Sequence, residues 1–95
     1  MIEVSVTKNH IAVHGHARAA PVGQDIICAG ASTLAQTLIR SIESLTDDTI
    51  SYSISPGMVD IEFKELSGES RTLVDSFFIG MCMLADAYPD YVRII

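Results

Sequence analysis

His16 and Cys28 stand twelve positions apart in the stretch Gly15-His-Ala-Arg-Ala-Ala-Pro-Val-Gly-Gln-Asp-Ile-Ile-Cys28. Together they are the material of nucleophilic catalysis. A free thiol, with a pKa of about 8.5, is mostly protonated at neutral pH, so a nucleophilic cysteine needs surroundings that favour the anion. Asp25 is a good helix N-cap, and an apolar helical period starts directly after it, which puts Cys28 at the third helical position. N–H groups of a helix's first turn lack partners within the helix and favour an anion beside them. A histidine within reach adds a proton acceptor and, once protonated, a cation. His16 ends a strand pattern where that strand can meet the helix start, and the Ala17–Gln24 loop is long enough to join the two. The same first-turn amides are candidate donors to the oxyanion of a tetrahedral intermediate, with the Gln24 side-chain amide a candidate helper. Asp25 has two oxygens and two candidate duties, capping the helix and orienting His16, with capping the default.

Each of these residues also has a plainer reading. Cysteine is among the most buried residue types, and a lone cysteine on a helix is ordinarily packing. Two features set Cys28 apart: it flanks the apolar stripe of its helix, and it lies behind a glycine-bounded loop, where functional groups concentrate. Cys82, in the middle of an apolar helical run, reads as core or interface. A zinc site of His14, His16 and Cys28 is set aside. His14 and His16 share a side only if the strand runs on through Gly15, and no fourth ligand has motif spacing. Neither a metal nor a cofactor is expected.

The elements that must position these residues follow from hydrophobic periodicity. Ile2, Val4 and Val6 alternate with polar residues, as do Ile11 and Val13; a turn at Lys8-Asn9 pairs Val6 with Ile11 and Val4 with Val13. Ile27, Ala31, Leu34, Leu38, Ile42 and Leu45 form a helical stripe that ends at Thr46-Asp47-Asp48-Thr49. A second hairpin turns at Pro56-Gly57 in a type II turn, pairing Ile54 with Val59, Tyr52 with Ile61 and Ile50 with Phe63. A second helix starts at Ser67-Gly68-Glu69-Ser70 and runs to about Tyr88, before Pro89. Leu73, Phe77, Met81, Leu84 and Tyr88 form one of its faces, Val74, Phe78, Cys82 and Ala85 the next, and Ile79 and Met83 extend the apolar surface further. So apolar a helix is covered on more than one side, and a second copy of the chain is expected on part of it, giving a homodimer. A short strand, Tyr91–Ile95, follows. The expected fold is α+β, a two-layer sandwich of order ββαββα(β). Its sheet is mostly antiparallel, both helices pack on one face, and residues 1–95 form a single domain.

Composition narrows the partners. The net charge is −6, and the six basic residues are scattered, so there is no basic patch for a phosphate backbone. No direct nucleic-acid partner is expected; an acidic chain suits a basic protein. Two cysteines are too few for a disulfide framework, Met1 leads straight into a strand pattern, and the apolar run Phe77–Ala85 is too short to span a bilayer. The expectation is a cytoplasmic protein with reduced thiols and no membrane contact.

Gly15-His16-Ala17, together with Gly23-Gln24-Asp25-Ile26-Ile27-Cys28-Ala29 and the following Ser32, resembles the motifs of the ribosomal-processing cysteine proteases called Prp. The resemblance covers the whole length, with the motif between the second strand and the first helix. It implies that Cys28 is the nucleophile, His16 the base and Asp25 part of the site. It implies a homodimer that removes the short N-terminal extension of a ribosomal protein of the bacterial large subunit, after an aromatic residue, as ribosome maturation requires. Two alternatives stand beside it: a phage-type relative that cleaves virion proteins, and a non-catalytic ribosome-associated binding module. The loop carries no aromatic or acidic residue between Ala17 and Gln24, and it is expected to open for substrate and close over it.

Overall fold

The computed structural model of the chain describes residues 1–21 and 25–95. Its elements run β1 (Ile2–Val6), β2 (His10–His14), α1 (Ile26–Leu45), β3 (Ser51–Ser55), β4 (Met58–Glu62), α2 (Gly68–Ala87) and β5 (Val92–Ile94). Among the described residues the strands form one sheet in the order β3-β4-β2-β1-β5. Among the described residues only the β1–β5 pair is parallel; β5 reaches β1 after the long return of α2.

Both hairpins take the register set by their apolar alternation. Val4 faces Val13 and Val6 faces Ile11; Ile54 faces Val59 and Tyr52 faces Ile61. Gly57, at the third position of the Pro56-Gly57 turn, has φ +72, as a type II turn requires. The expected Ile50–Phe63 pair lies beyond the β3–β4 ladder, which ends at Ser51↔Glu62.

One face of the sheet and both helices share a single core. Ile2, Val4, Ile11, Val13, Val59 and Ile61 meet Ile27, Ala31, Leu38, Ile39 and Ile42 of α1 and Phe77 and Met81 of α2. Truncating one of the fully buried isoleucines, such as Ile42 or Ile61, is expected to cost about 2–5 kcal/mol. Leu45, read as the last member of the α1 stripe, is instead exposed, because the helix ends there and has run past the core. Ala35 and Ile39 take up the buried stripe.

Each helix starts on a side-chain cap. Ser67 caps α2, its Oγ accepting the Ser70 N–H at 3.3 Å. Asp48, just after α1, accepts the Ser67 N–H and the Ser67 and Ser70 hydroxyls, tying the end of one helix to the start of the other. These donors, the Ser70 hydroxyl foremost, hold its carboxyl below the usual aspartate range. Phe78, Ile79 and Met83 of α2 lie exposed outside the core.

Candidate active site

The site begins where β2 ends. Gly15 has φ +102, and a Cβ there would lie 2.1 Å from the Met1 carbonyl oxygen, so only glycine lets the chain leave the strand at this point. Gly15 N–H still bonds across to the Gly57 carbonyl at 2.8 Å, and the Met1 amino group donates to the His16 carbonyl at 2.6 Å. These contacts deliver the His16 ring onto the β3–β4 turn. A Cβ at Gly57 would lie 2.4 Å from His16 Nε2. Glycine at 57 therefore serves twice, for its positive φ and for the room it leaves the imidazole.

From His16 the chain passes Arg18, a non-glycine residue at φ 56, and is tied to the helix start by Asp25. Asp25 Oδ1 accepts the Ile27 and Cys28 N–H groups, each at 3.0 Å, while Oδ2 accepts the Ala19 N–H at 3.0 Å. The Cys28 N–H is the largest cause that holds the Asp25 carboxyl below its ordinary value; partial desolvation opposes it, and the Ala19 and Ile27 N–H groups add to it. Asp25 thus caps α1 and ties the loop to it, with no hydrogen bond to His16 among the described residues. Its capping has a second consequence: the Ile27 and Cys28 amides, expected as free oxyanion donors, are occupied by the carboxylate. Gln24 lies outside the described residues.

Cys28 is half-buried, packed against the core at the third position of α1. Its Sγ accepts the N–H of Ala17, the residue next to His16, at 3.3 Å. His16 and Cys28 are thus joined through one peptide unit, and their side chains make no hydrogen bond to each other among the described contacts. Cys28 lines a cleft of about 440 Å³ with Val13, Gly15, Ser32, Ile54 and Gly57. Two larger surface hollows, of about 660 and 900 Å³, lie along the outer face of α1 and beside the β1–β2 turn, and neither includes a cysteine. Cys28 and Gly57 both line this cleft, and the His16 ring packs against Gly57.

His14 goes elsewhere. Its Nε2 lies 3.0 Å from Asp60 Oδ2, and His10 Nε2 lies 2.9 Å from Asp60 Oδ1, on the sheet face opposite the helices. The His14 contact is the first cause of the lowered Asp60 pKa, with His10 adding to it. The set of His14, His16 and Cys28 is therefore not assembled. The contribution of Gly57 and of Ile54 to the site was hidden in the sequence: the Pro-Gly pair reads only as a turn, and Ile54 only as one side of a hairpin.

A family model described as cysteine protease Prp matches residues 1–93. None of the curated proteins compared with the chain matches it. The chain is similar to the ribosomal processing protease Prp from S. aureus in complex with a covalently linked product peptide, at 20% identity and a TM-score of 0.88, covering 98% of this chain and 94% of that one. The same S. aureus protease with a substrate peptide gives 19% identity and a TM-score of 0.83, covering 99% and 95%. A protein from Streptococcus mutans, SMU.848, is 27% identical with a TM-score of 0.76, covering 98% and 89%.

Proposed function

The chain belongs to the cysteine protease Prp family, and from that premise we propose that it cuts the N-terminal extension from a ribosomal protein of the bacterial large subunit, after an aromatic residue. Cys28 is the nucleophile. Its Sγ attacks the scissile carbonyl as His16 takes the thiol proton; His16 then protonates the leaving amine, and water releases the shortened protein from the acyl-enzyme. The Ala17 N–H, directed at Sγ, favours the thiolate form of the nucleophile. Asp25 keeps the loop and helix in register rather than polarising His16. The enzyme works as a cytoplasmic homodimer, with the exposed Phe78, Ile79 and Met83 of α2 supplying apolar contact area. The net charge of −6 suits a basic ribosomal substrate.

The observation that supports this reading is that Cys28, in the first turn of α1, receives the N–H of the residue next to His16 and lines a cleft with Gly57, against which the His16 ring packs. Incubation with the extended ribosomal protein is expected to give a shortened product, and Cys28→Ala to give none. Cleavage that survives Cys28→Ala removes Cys28 as nucleophile.

A further inference from the structure

The two edges of the sheet are built differently. β5 is three residues long and carries Arg93, paired with Glu3. β3 is five residues long, Ser51-Tyr52-Ser53-Ile54-Ser55, exposed throughout, with no charge and no proline. Natural sheets blunt their edges with charges, prolines or short strands, because a bare edge pairs with other chains. β3 has none of these guards.

The phase of the ladder identifies what β3 offers. Gly15 N–H donates to the Gly57 carbonyl at 2.8 Å, and Phe63 N–H donates to the Asn9 carbonyl at 3.1 Å. The odd-numbered residues from Gly57 to Phe63 therefore bond towards β2, and the even-numbered ones towards β3. Their partners there are Ser51, Ser53 and Ser55. This alternation turns the backbone N–H and C=O of Tyr52 and Ile54 away from the sheet. The side chains of those two residues lie on the helix side, opposite Ile61 and Val59, yet remain 45% and 48% exposed. Outward backbone groups and uncovered apolar side chains thus coincide at the same two positions. Ile54 and Ser55 also line the Cys28 cleft, so this edge is continuous with the site of chemistry.

We propose that the peptide substrate adds to β3 as a further strand, bonded to the backbone of Tyr52 and Ile54, with its apolar side chains set on theirs and its scissile bond led into the Cys28 cleft. The inference rests on the protease reading above. Strand addition takes affinity from the backbone and selectivity from alternate side chains. It calls for an extended segment with apolar or aromatic residues at every second position, which an unfolded N-terminal extension can supply and a folded domain cannot.

The probe is a synthetic peptide spanning the extension of the ribosomal protein and its aromatic cut site. Added to the Cys28→Ser variant, it is expected to slow hydrogen exchange of the Tyr52 and Ile54 amides about tenfold or more, with Ser53, already bonded within the sheet, little changed. In the active enzyme, Ile54→Ser is expected to raise KM about tenfold with little change in kcat. Cleavage of the peptide with exchange at Tyr52 and Ile54 unaltered overturns strand addition and leaves the protease reading standing. Protection of those amides by a peptide that the wild type never cuts supports strand addition and overturns the protease reading. A peptide neither bound nor cut overturns both. The exchange measurement uses an intact β3, so it decides the matter even where Ile54→Ser misfolds.

Discussion

Cys28 and Cys82 are both half-buried free cysteines on long helices, and they are not alike. Cys28 stands in the first turn of α1, receives the Ala17 N–H and borders a cleft. Cys82 stands well inside α2, between Met81, which is fully buried, and Met83, which is exposed. What separates them is the backbone around them. A loop and a turn converge on Cys28, held there by Gly15, Gly57 and Asp25, while Cys82 sits in the regular turns of α2, with no hydrogen bond to its sulfur among the described residues. A cysteine's chemistry is set less by its fractional exposure than by which polar groups the chain aims at its sulfur.

The largest test of that contrast leaves both cysteines untouched. Gly57→Ala would place a Cβ within 2.4 Å of His16 Nε2 and strain a residue at φ +72. A misplacement of about 1 Å in a positioned catalytic group lowers rate by about a hundredfold, and a fall of that order in kcat/KM is expected, with the rate of Cys82 alkylation unchanged. An equal effect on both cysteines would mean that the variant had loosened the whole fold. Next in size is the contrast itself. Iodoacetamide followed by peptide mass mapping is expected to modify Cys28 about tenfold faster than Cys82 at neutral pH, and His16→Ala to narrow the gap. Equal rates would dissolve the distinction.

The smallest effect concerns acid. The folded protein holds the Asp25 carboxyl below its ordinary value near 3.8, so its capping contributes stability above that value and loses it as pH falls through the lower folded value. Asp25→Ala is expected to lower the thermal midpoint by several degrees near neutral pH, and the gap to wild type is expected to close as pH falls below the ordinary range. Asp48 and Asp60 are shifted in the same direction in both proteins and so cancel in the difference. Amide exchange is expected to locate the loosening at Ile27 and Cys28 rather than near Cys82.

Much of this was legible in the residues. Alternation fixed the hairpin registers, Asp25 and Ser67 marked the helix starts, and Pro89 marked where α2 stops. These are local rules, and each is read from a few neighbouring side chains. What stayed hidden depends on pieces far apart in the chain. Gly57 meets His16 only because the second hairpin joins the first through β2 and β4. Ser70 is buried by partners on Thr46 and Asp48, which no helical period announces. The capped amides of Ile27 and Cys28 illustrate a third kind of miss: one aspartate serves as a cap, and thereby fills the place where open donors were expected.

The parallel pairing of β5 with β1 joins Ile2 to Val92, and Ile95 N–H reaches the Val4 carbonyl at 2.8 Å. On the ribosome, β1 emerges long before its neighbour on that side exists, and the ring that joins them spans nearly the whole polypeptide, so this pair is expected to close late. Peeling the tail away would reverse that late step first. The residue it uncovers is next to Met1, whose carbonyl crowds Gly15 and whose amino group holds the His16 carbonyl. A fray at the tail is therefore expected to loosen, through a single strand, the contacts that anchor His16.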